Sequence, residues 1–422
     1  MELSSIQIPN GIAPPEDAPL SRSLASVDLS NSPPLKSEMR LIVQCARTFL
    51  SPGESAALSS AVARVEDWHL VEQIAERHCL TPVVAFVLFQ HAAAAVPGDV
   101  AQPFRQGALR LARNNLALAK EWLQLLQLFE DAELPVISLK GPALASTAYG
   151  DLAWREFHDL DLLIHSKDVR RARDILLHNG YELWSTTLNN SDTELLRSRN
   201  RQLCFTNAQH GAAIDLHWGA LHEMFSFQLP ADQLWKQARV EHWNDLSFLS
   251  LAPEHLLLYL CAHGSKHCWR NLCWLCDIAA LVEAHPQMDW PECLRLAESS
   301  DSALLLQHTL LLTQQVLGLK VPEVVRSSAS NDERALELAA IAYQFLFPTS
   351  GDSPRRLDAL RYHLALTEHW RSRARLIVDR IFVPEEQDWK TVRLPNTLHF
   401  LYYLIRPVRF ILERLSVRHR ER

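Results

Sequence analysis

Several absences narrow the class of this 422-residue chain. It has no dense cysteine framework. Eight cysteines are scattered along its length, which argues against a small fold stapled by disulfides. Its start carries no basic segment followed by a short apolar run, so the expectation is a cytoplasmic protein with free thiols. No stretch supplies the unbroken apolar residues that a bilayer span requires. The longest candidate, Leu398 to Leu412, is interrupted by Arg406, Pro407 and Arg409. Charge of neither sign dominates: 42 Lys+Arg stand against 49 Asp+Glu, a formal net charge of -7. That balance gives no general attraction to nucleic acid, and none is expected as a partner. Internal repeats are absent too.

What remains is the composition of a globular protein, 48% hydrophobic and 22% charged, long enough for two or three domains and a sizeable core. Residues 1–36 are rich in Pro and Ser (IPNGIAPPEDAP, SNSPPLK) and read as a disordered leader. Residues 37–130 read as helical. LARNNLALAKEWLQLLQLFEDAEL repeats its apolar residues at three- and four-residue spacing, and Ala-rich HAAAAV fits a helix as well. The pattern changes in residues 131–250. PVISLKG is a short β-rich run ending in Gly141, and PALASTAYG then returns to helical spacing. DLDLLI is a strand, and SKDVRRARDILLHNGYEL is a helix with a Ser cap and Asn179-Gly180 near its end. RQLCFTN and GAAIDLHWGAL read as two strands around the turn NAQHG. Residues 251–422 are helical again.

The chemistry sits in REFHDLDLLI. Side chains alternate faces along a strand, so Leu160, Leu162 and Ile164 face a core while Asp159 and Asp161 share the opposite face. Two carboxylates ~7 Å apart on one face repel unless a proton or a cation lies between them. Mg²⁺ or Mn²⁺ accepts such oxygens. In GAAIDLHW, Asp215 likewise points away from the face of Ile214 and Leu216. Three aspartates on two strands can hold metal ions for an in-line displacement at phosphorus. Upstream, Gly141 permits close backbone approach and Pro142 suits the first helical position. Lys140 and Arg155 add cations suited to a triphosphate.

This order of Lys140–Gly141, Leu144, Tyr149, Arg155, Asp159–Leu163 and Ile214–Trp218, followed by His263–Gly264, Lys266–His267, Trp269 and Asp277, resembles the nucleotidyltransferase superfamily with a DNA polymerase β-like palm. More closely, it resembles the bacterial family of uncharacterised nucleotidyltransferases. The resemblance spans roughly residues 40–410. It implies an α+β fold: a polymerase β-like palm, a mixed sheet with helices, flanked by N- and C-terminal helical regions. It implies transfer of a nucleoside monophosphate from an NTP to an acceptor oxygen, with loss of pyrophosphate. Asp159, Asp161 and Asp215 would be the catalytic metal ligands for Mg²⁺ or Mn²⁺. Lys140, Gly141 and Arg155 would bind the nucleotide. His263, Lys266 and His267 would lie on the substrate side. Relatives are associated with polysaccharide and peptide natural-product pathways, which hints at a sugar, a small metabolite or a peptide as acceptor. One departure stands out. The wider superfamily has Gly-Ser at the phosphate turn, and here Pro142 removes both the hydroxyl and the N–H. Ser138, Ser146 and Thr147 are weaker substitutes than Lys140.

Plainer readings compete. The aspartates could form a solvated strand face or caps, and Lys140 and Arg155 could simply partner them. Tyr149 is expected to pack its helix rather than stack a base. The His and Cys residues of CAHGSKHCWRNLCWLCD resemble zinc donors, but all fall in one helical stretch, whereas zinc ligands usually pair across a loop. The aromatic, basic C-terminus could lie on a membrane surface, and a capping helix pair is the favoured reading. A non-catalytic nucleotide-binding or antitoxin-like regulatory module on the same fold is the alternative to an enzyme.

Overall fold

The computed structural model describes residues 35–409, apart from 52–54, 185–200, 208, 210–211, 221–228, 324, 327–331, 349–355, 368, 385–387, 389–390, 393 and 395. Residues 1–34 of the expected leader, most of the NAQHG turn and the basic tail from residue 410 lie outside the described residues.

Five helices open the described chain: α1 (Ser37–Leu50), α2 (Ser55–Val62), α3 (Trp68–Arg77), α4 (Thr81–His91) and the long α5 (Gly98–Asp131). Asp67 caps α3 by accepting the Leu70 N–H. HAAAAV departs from the expected helix. Only Ala93–Ala95 form a 3₁₀ turn, and Val96 is extended ahead of Pro97, as the residue before proline must avoid the helical region.

The centre is one seven-stranded mixed sheet. In chain order it contains β1 (Ile137–Ser138), α6 (Pro142–Ala148), β2 (Asp159–Leu163), α7 (Val169–His178), β3 (Tyr181–Leu183), β4 (Gln202–Asn207), β5 (Ala213–His217), α8 (Ala231–Lys236), β6 (Arg239–Trp243) and β7 (Leu246–Ser250). The strand order is β3-β4-β5-β2-β1-β7-β6. Strand β2 runs parallel to β5 and antiparallel to β1. The β6–β7 hairpin is absent from the sequence reading. It turns on Asn244 and Asp245, with Asn244 in the left-handed region at φ 54, which asparagine tolerates.

The helices that follow include α9 (Pro253–Lys266), α10 (Cys273–Ala284), α11 (Trp290–Ser299), α12 (Ala303–Leu317), α13 (Glu333–Leu346), α14 (Arg356–Leu366) and α15 (Trp370–Phe382). The stretch 261–277 is not the single helix expected. Cys268 and Trp269 take φ 54 and 51, and the Trp269 N–H bonds back to the Gly264 carbonyl at 2.9 Å. The indole folds over Gly264, where an added Cβ would lie 2.2 Å from the ring. Only glycine leaves room for this reversal, so α9 stops at Lys266.

The two faces of the sheet pack against different bodies. Leu160, Leu162, Ile164, Phe205, Ile214 and Leu216 form a core with Trp122, Leu125 and Phe129 of α5 and Leu176 of α7. A second core joins both helical regions: Leu41 and Val84 from the N-terminal side pack with Leu257, Leu275 and Leu305 from the C-terminal side, and Ile137 and Leu163 of the sheet reach into it. Arg47 of α1 donates to the carbonyls of Val316 and Gln315 at 2.8 and 3.0 Å. No helix among the described residues is long and apolar enough to cross a membrane.

The Tyr362 hydroxyl, fully buried, ties α14 to the end of α9. It accepts from the Trp269 indole N–H at 3.0 Å, donates to Ser265 Oγ at 3.1 Å and meets His308 Nε2 at 2.9 Å. Tyr362→Phe leaves polar groups buried without this partner and is expected to cost about 1–3 kcal/mol, read as a lower urea midpoint at unchanged slope.

Candidate active site

Register decides which polar side chains meet. In the β2–β5 pair Asp161 lies opposite Asp215 and Leu163 opposite His217. In the β4–β5 pair Cys204 lies opposite Asp215 and Gln202 opposite His217. With Leu160, Leu162, Ile214 and Leu216 drawn into the core under α5, the period of two leaves Asp159, Asp161, Asp215 and His217 on the other face. Donor atoms of Asp161, Asp215 and His217 all lie within 4.8 Å of one another. Across from them α9 presents Tyr259, His263 and Lys266, spaced four and three residues apart on one helical face, and His267 follows at its tip. Sheet and helix enclose a cavity of about 210 Å³. A family model described as "Uncharacterised nucleotidyltransferase" matches residues 64–318. The chain belongs to this nucleotidyltransferase family. No curated protein matches it.

In this nucleotidyltransferase the three aspartates do not share one environment. Asp161 is 3% exposed. Its Oδ2 lies 2.9 Å from Lys140 Nζ and its Oδ1 lies 3.1 Å from His217 Nε2. Burial alone would raise its pKa, but Lys140 and His217 hold it well below the usual carboxylate value. Asp159 is looser, with Oδ1 3.8 Å from Lys140 Nζ. Burial and the neighbouring Asp161 charge push its pKa up despite Lys140. Lys140 is itself buried. Desolvation works against its charge, and Asp161 and Asp159 more than restore it. The ammonium therefore sits where two like charges require a cation. Gln202 Nε2 lies 3.3 Å from Asp215 Oδ2.

Cations and neutral rings line the helix side. His263 is pushed far down by burial, then by Lys140 and His267. His267 falls to about 3, from burial and the nearby Lys266. Both imidazoles are neutral at pH 7. The Lys266 pKa is lowered by burial and by Lys140.

Arg155 takes a different place from the aspartates. Its Nε and Nη2 grip the two Asp277 oxygens at 2.8 and 2.9 Å, and the Tyr149 hydroxyl donates to the same carboxylate at 2.9 Å. This trio lines an adjoining cavity of about 240 Å³, which shares Lys140, Asp159, His263 and His267 with the first. Gly141 stands at the end of β1 with φ 67, and an added Cβ would approach the Asp159 carbonyl at 3.2 Å. The neighbouring hydroxyls are engaged: Ser138 accepts from Trp122, while Ser146 and Thr147 donate to the Ala143 carbonyl.

The structure thus brings Lys140, Asp159, Asp161, Asp215, His263, Lys266 and His267 around one cavity. His217 and Tyr259 are the additions. His217 was legible in IDLHW, two residues beyond Asp215 and so on the same strand face. Tyr259 was hidden in the apolar run of α9.

Lys140→Met leaves Asp161 buried with His217 alone. At neutral pH it is expected to cost about 3–5 kcal/mol, as for a broken buried ion pair. The depressed Asp161 pKa contributes stability above the unfolded value of 3.8 and loses it as pH falls through the folded one. The gap between wild type and variant should therefore be widest near neutrality and close below that value. Urea unfolding at several pH values measures it.

Proposed function

We propose that the chain uses Mg²⁺ or Mn²⁺ to move a nucleoside monophosphate from an NTP to a hydroxyl or similar group of a sugar, small metabolite or peptide, releasing pyrophosphate. The observation that carries this reading is the in-register pairing of Asp161 with Asp215 on the sheet face that also bears Asp159. Carboxylate oxygens with one imidazole form a donor set suited to a hard divalent ion. Such an ion, when bound, supplies charge stabilisation for the phosphoryl oxygens and for the departing pyrophosphate.

The protein's own groups then have separate tasks. Asp159, Asp161 and Asp215 hold the ion, and Asp215 favours loss of the acceptor proton. Lys140 borders both cavities, so its ammonium can turn from the aspartates to a phosphate oxygen. Gly141 lets the triphosphate approach the backbone. Arg155 supports the nucleotide from the neighbouring cavity. His263, Lys266 and His267 meet the acceptor from the α9 side. Each cavity is smaller than the ~300–1,000 Å³ of common ligand sites, but a ligand bridging both has that room. Residues 131–250 form the catalytic palm in this reading, and the free thiols suit the cytoplasm. A nucleotide-binding module without turnover is the second reading. It is favoured by the close Lys140–Asp161 contact and by Pro142 at the phosphate turn.

Thermal unfolding with Mg²⁺ and each NTP tests the donor, and pyrophosphate release tests the reaction. A ligand at a hundred-fold excess over Kd stabilises the native state by about 2.7 kcal/mol. The expected result is a metal-dependent rise with at least one NTP, lost in Asp161→Asn, with pyrophosphate release lost in Asp215→Asn. A rise without pyrophosphate release across an acceptor panel would favour the binding module. No rise with any NTP would sink both.

A further inference from the structure

A second group of metal-capable side chains lines the adjoining cavity. Cys79, from the turn between α3 and α4, meets Glu156 and His158, from the segment that leads into β2. One donor atom of each lies within 4.8 Å of the others. His158 Nε2 is 3.0 Å from Glu156 Oε1. The second oxygen, Oε2, is buried and has no hydrogen-bond partner, on a side chain only 9% exposed. Leaving such an oxygen unmatched is costly, which makes it a pointer to something that binds there. Cys273, the first residue of α10, lines the same cavity. The Asn271 amide donates to the Cys79 sulfur at 3.6 Å.

We propose that Cys79, Glu156 and His158 form a binding site for a borderline-soft divalent transition metal such as Zn²⁺, with the fourth position open to solvent. Sulfur, imidazole nitrogen and a carboxylate are a zinc-type donor set, unlike the oxygen-rich set around Asp161. The ion takes up the unmatched Glu156 oxygen, and the Cys79 proton leaves to solvent as the thiolate binds. Asn271 fits the role of an outer hydrogen bond to a ligating sulfur. The donors come from two separate chain segments, so binding fastens the α3–α4 turn to the segment that leads into β2. The cavity they share also contains Lys140, Asp159 and Arg155, which puts the clamp beside the nucleotide-facing residues without making it part of them. The inference does not depend on nucleotidyl transfer.

Cobalt(II) is the probe, because thiolate coordination gives a near-ultraviolet charge-transfer band that carboxylate coordination does not. Titration of the reduced full-length chain is expected to give this band at one equivalent, to lose it on addition of excess Zn²⁺, and to raise the melting temperature. The band should vanish in Cys79→Ser, weaken in His158→Gln and persist in Asp161→Asn. His158 is 71% exposed, so its variant stays informative if Cys79→Ser fails to fold by circular dichroism. Absence of the band in wild type overturns the proposal. So does a band that survives in folded Cys79→Ser, is unchanged in His158→Gln, or disappears in Asp161→Asn.

Discussion

The buried Lys140 ammonium is the contact on which the site depends. A strand that carries Asp159 and Asp161 on one face can be packed against a helix only if that negative charge is offset. Lys140, 2.9 Å from Asp161, does this from the end of the adjacent strand, β1. Its position follows from the antiparallel β1–β2 register and from the Gly141 turn that ends β1 beside the Asp159 carbonyl. Sheet register, glycine conformation and buried charge are therefore one problem with one solution. A wrong register would bury a carboxylate against leucine and expose its partners.

A second buried ion pair performs a different task. Arg155 and Asp277 are nearly inaccessible, at 10% and 3% side-chain exposure. They join the segment before β2 to α10 and draw in Tyr149 from the end of α6. A bidentate guanidinium–carboxylate pair fixes orientation as well as distance. The pair thereby fastens the segment before β2 to the helical body beside the cavity that Asp161 and α9 line. Where the first pair offsets charge inside the site, the second joins two chain segments that line its neighbouring cavity.

Much of this was readable in the chain because it obeys a period of two. Alternation in DLDLLI and IDLHW assigns the aspartates to one face and the leucines to the other, and the KG turn fixes what precedes them. What escaped reading was set by contacts distant in sequence. The β6–β7 hairpin turns on Asn-Asp rather than the stronger Asn-Gly signal. The break after Lys266 depends on an indole folding back over Gly264 and on a hydroxyl from Tyr362, which no local pattern announces. Asp277 reads from sequence as a partner for a His or Arg, but its choice of Arg155, 122 positions away, is not local, and Tyr259 looks like any other apolar helix residue until the sheet is placed opposite it.

The shared core of the two helical regions also bears on how the chain is made. Arg47 finds its carbonyl partner 269 residues later, and Leu41 packs in the same core as Leu305. At about 5–20 residues per second of synthesis, α1 leaves the ribosome roughly 15–50 s before α12 exists to receive it. During that interval α2, α3 and α4 can already pack on it, but the part of its apolar face that meets α10 and α12 has no native cover. The N-terminal helices must wait, shielded by each other or by a chaperone, while the palm behind them is already able to form its sheet.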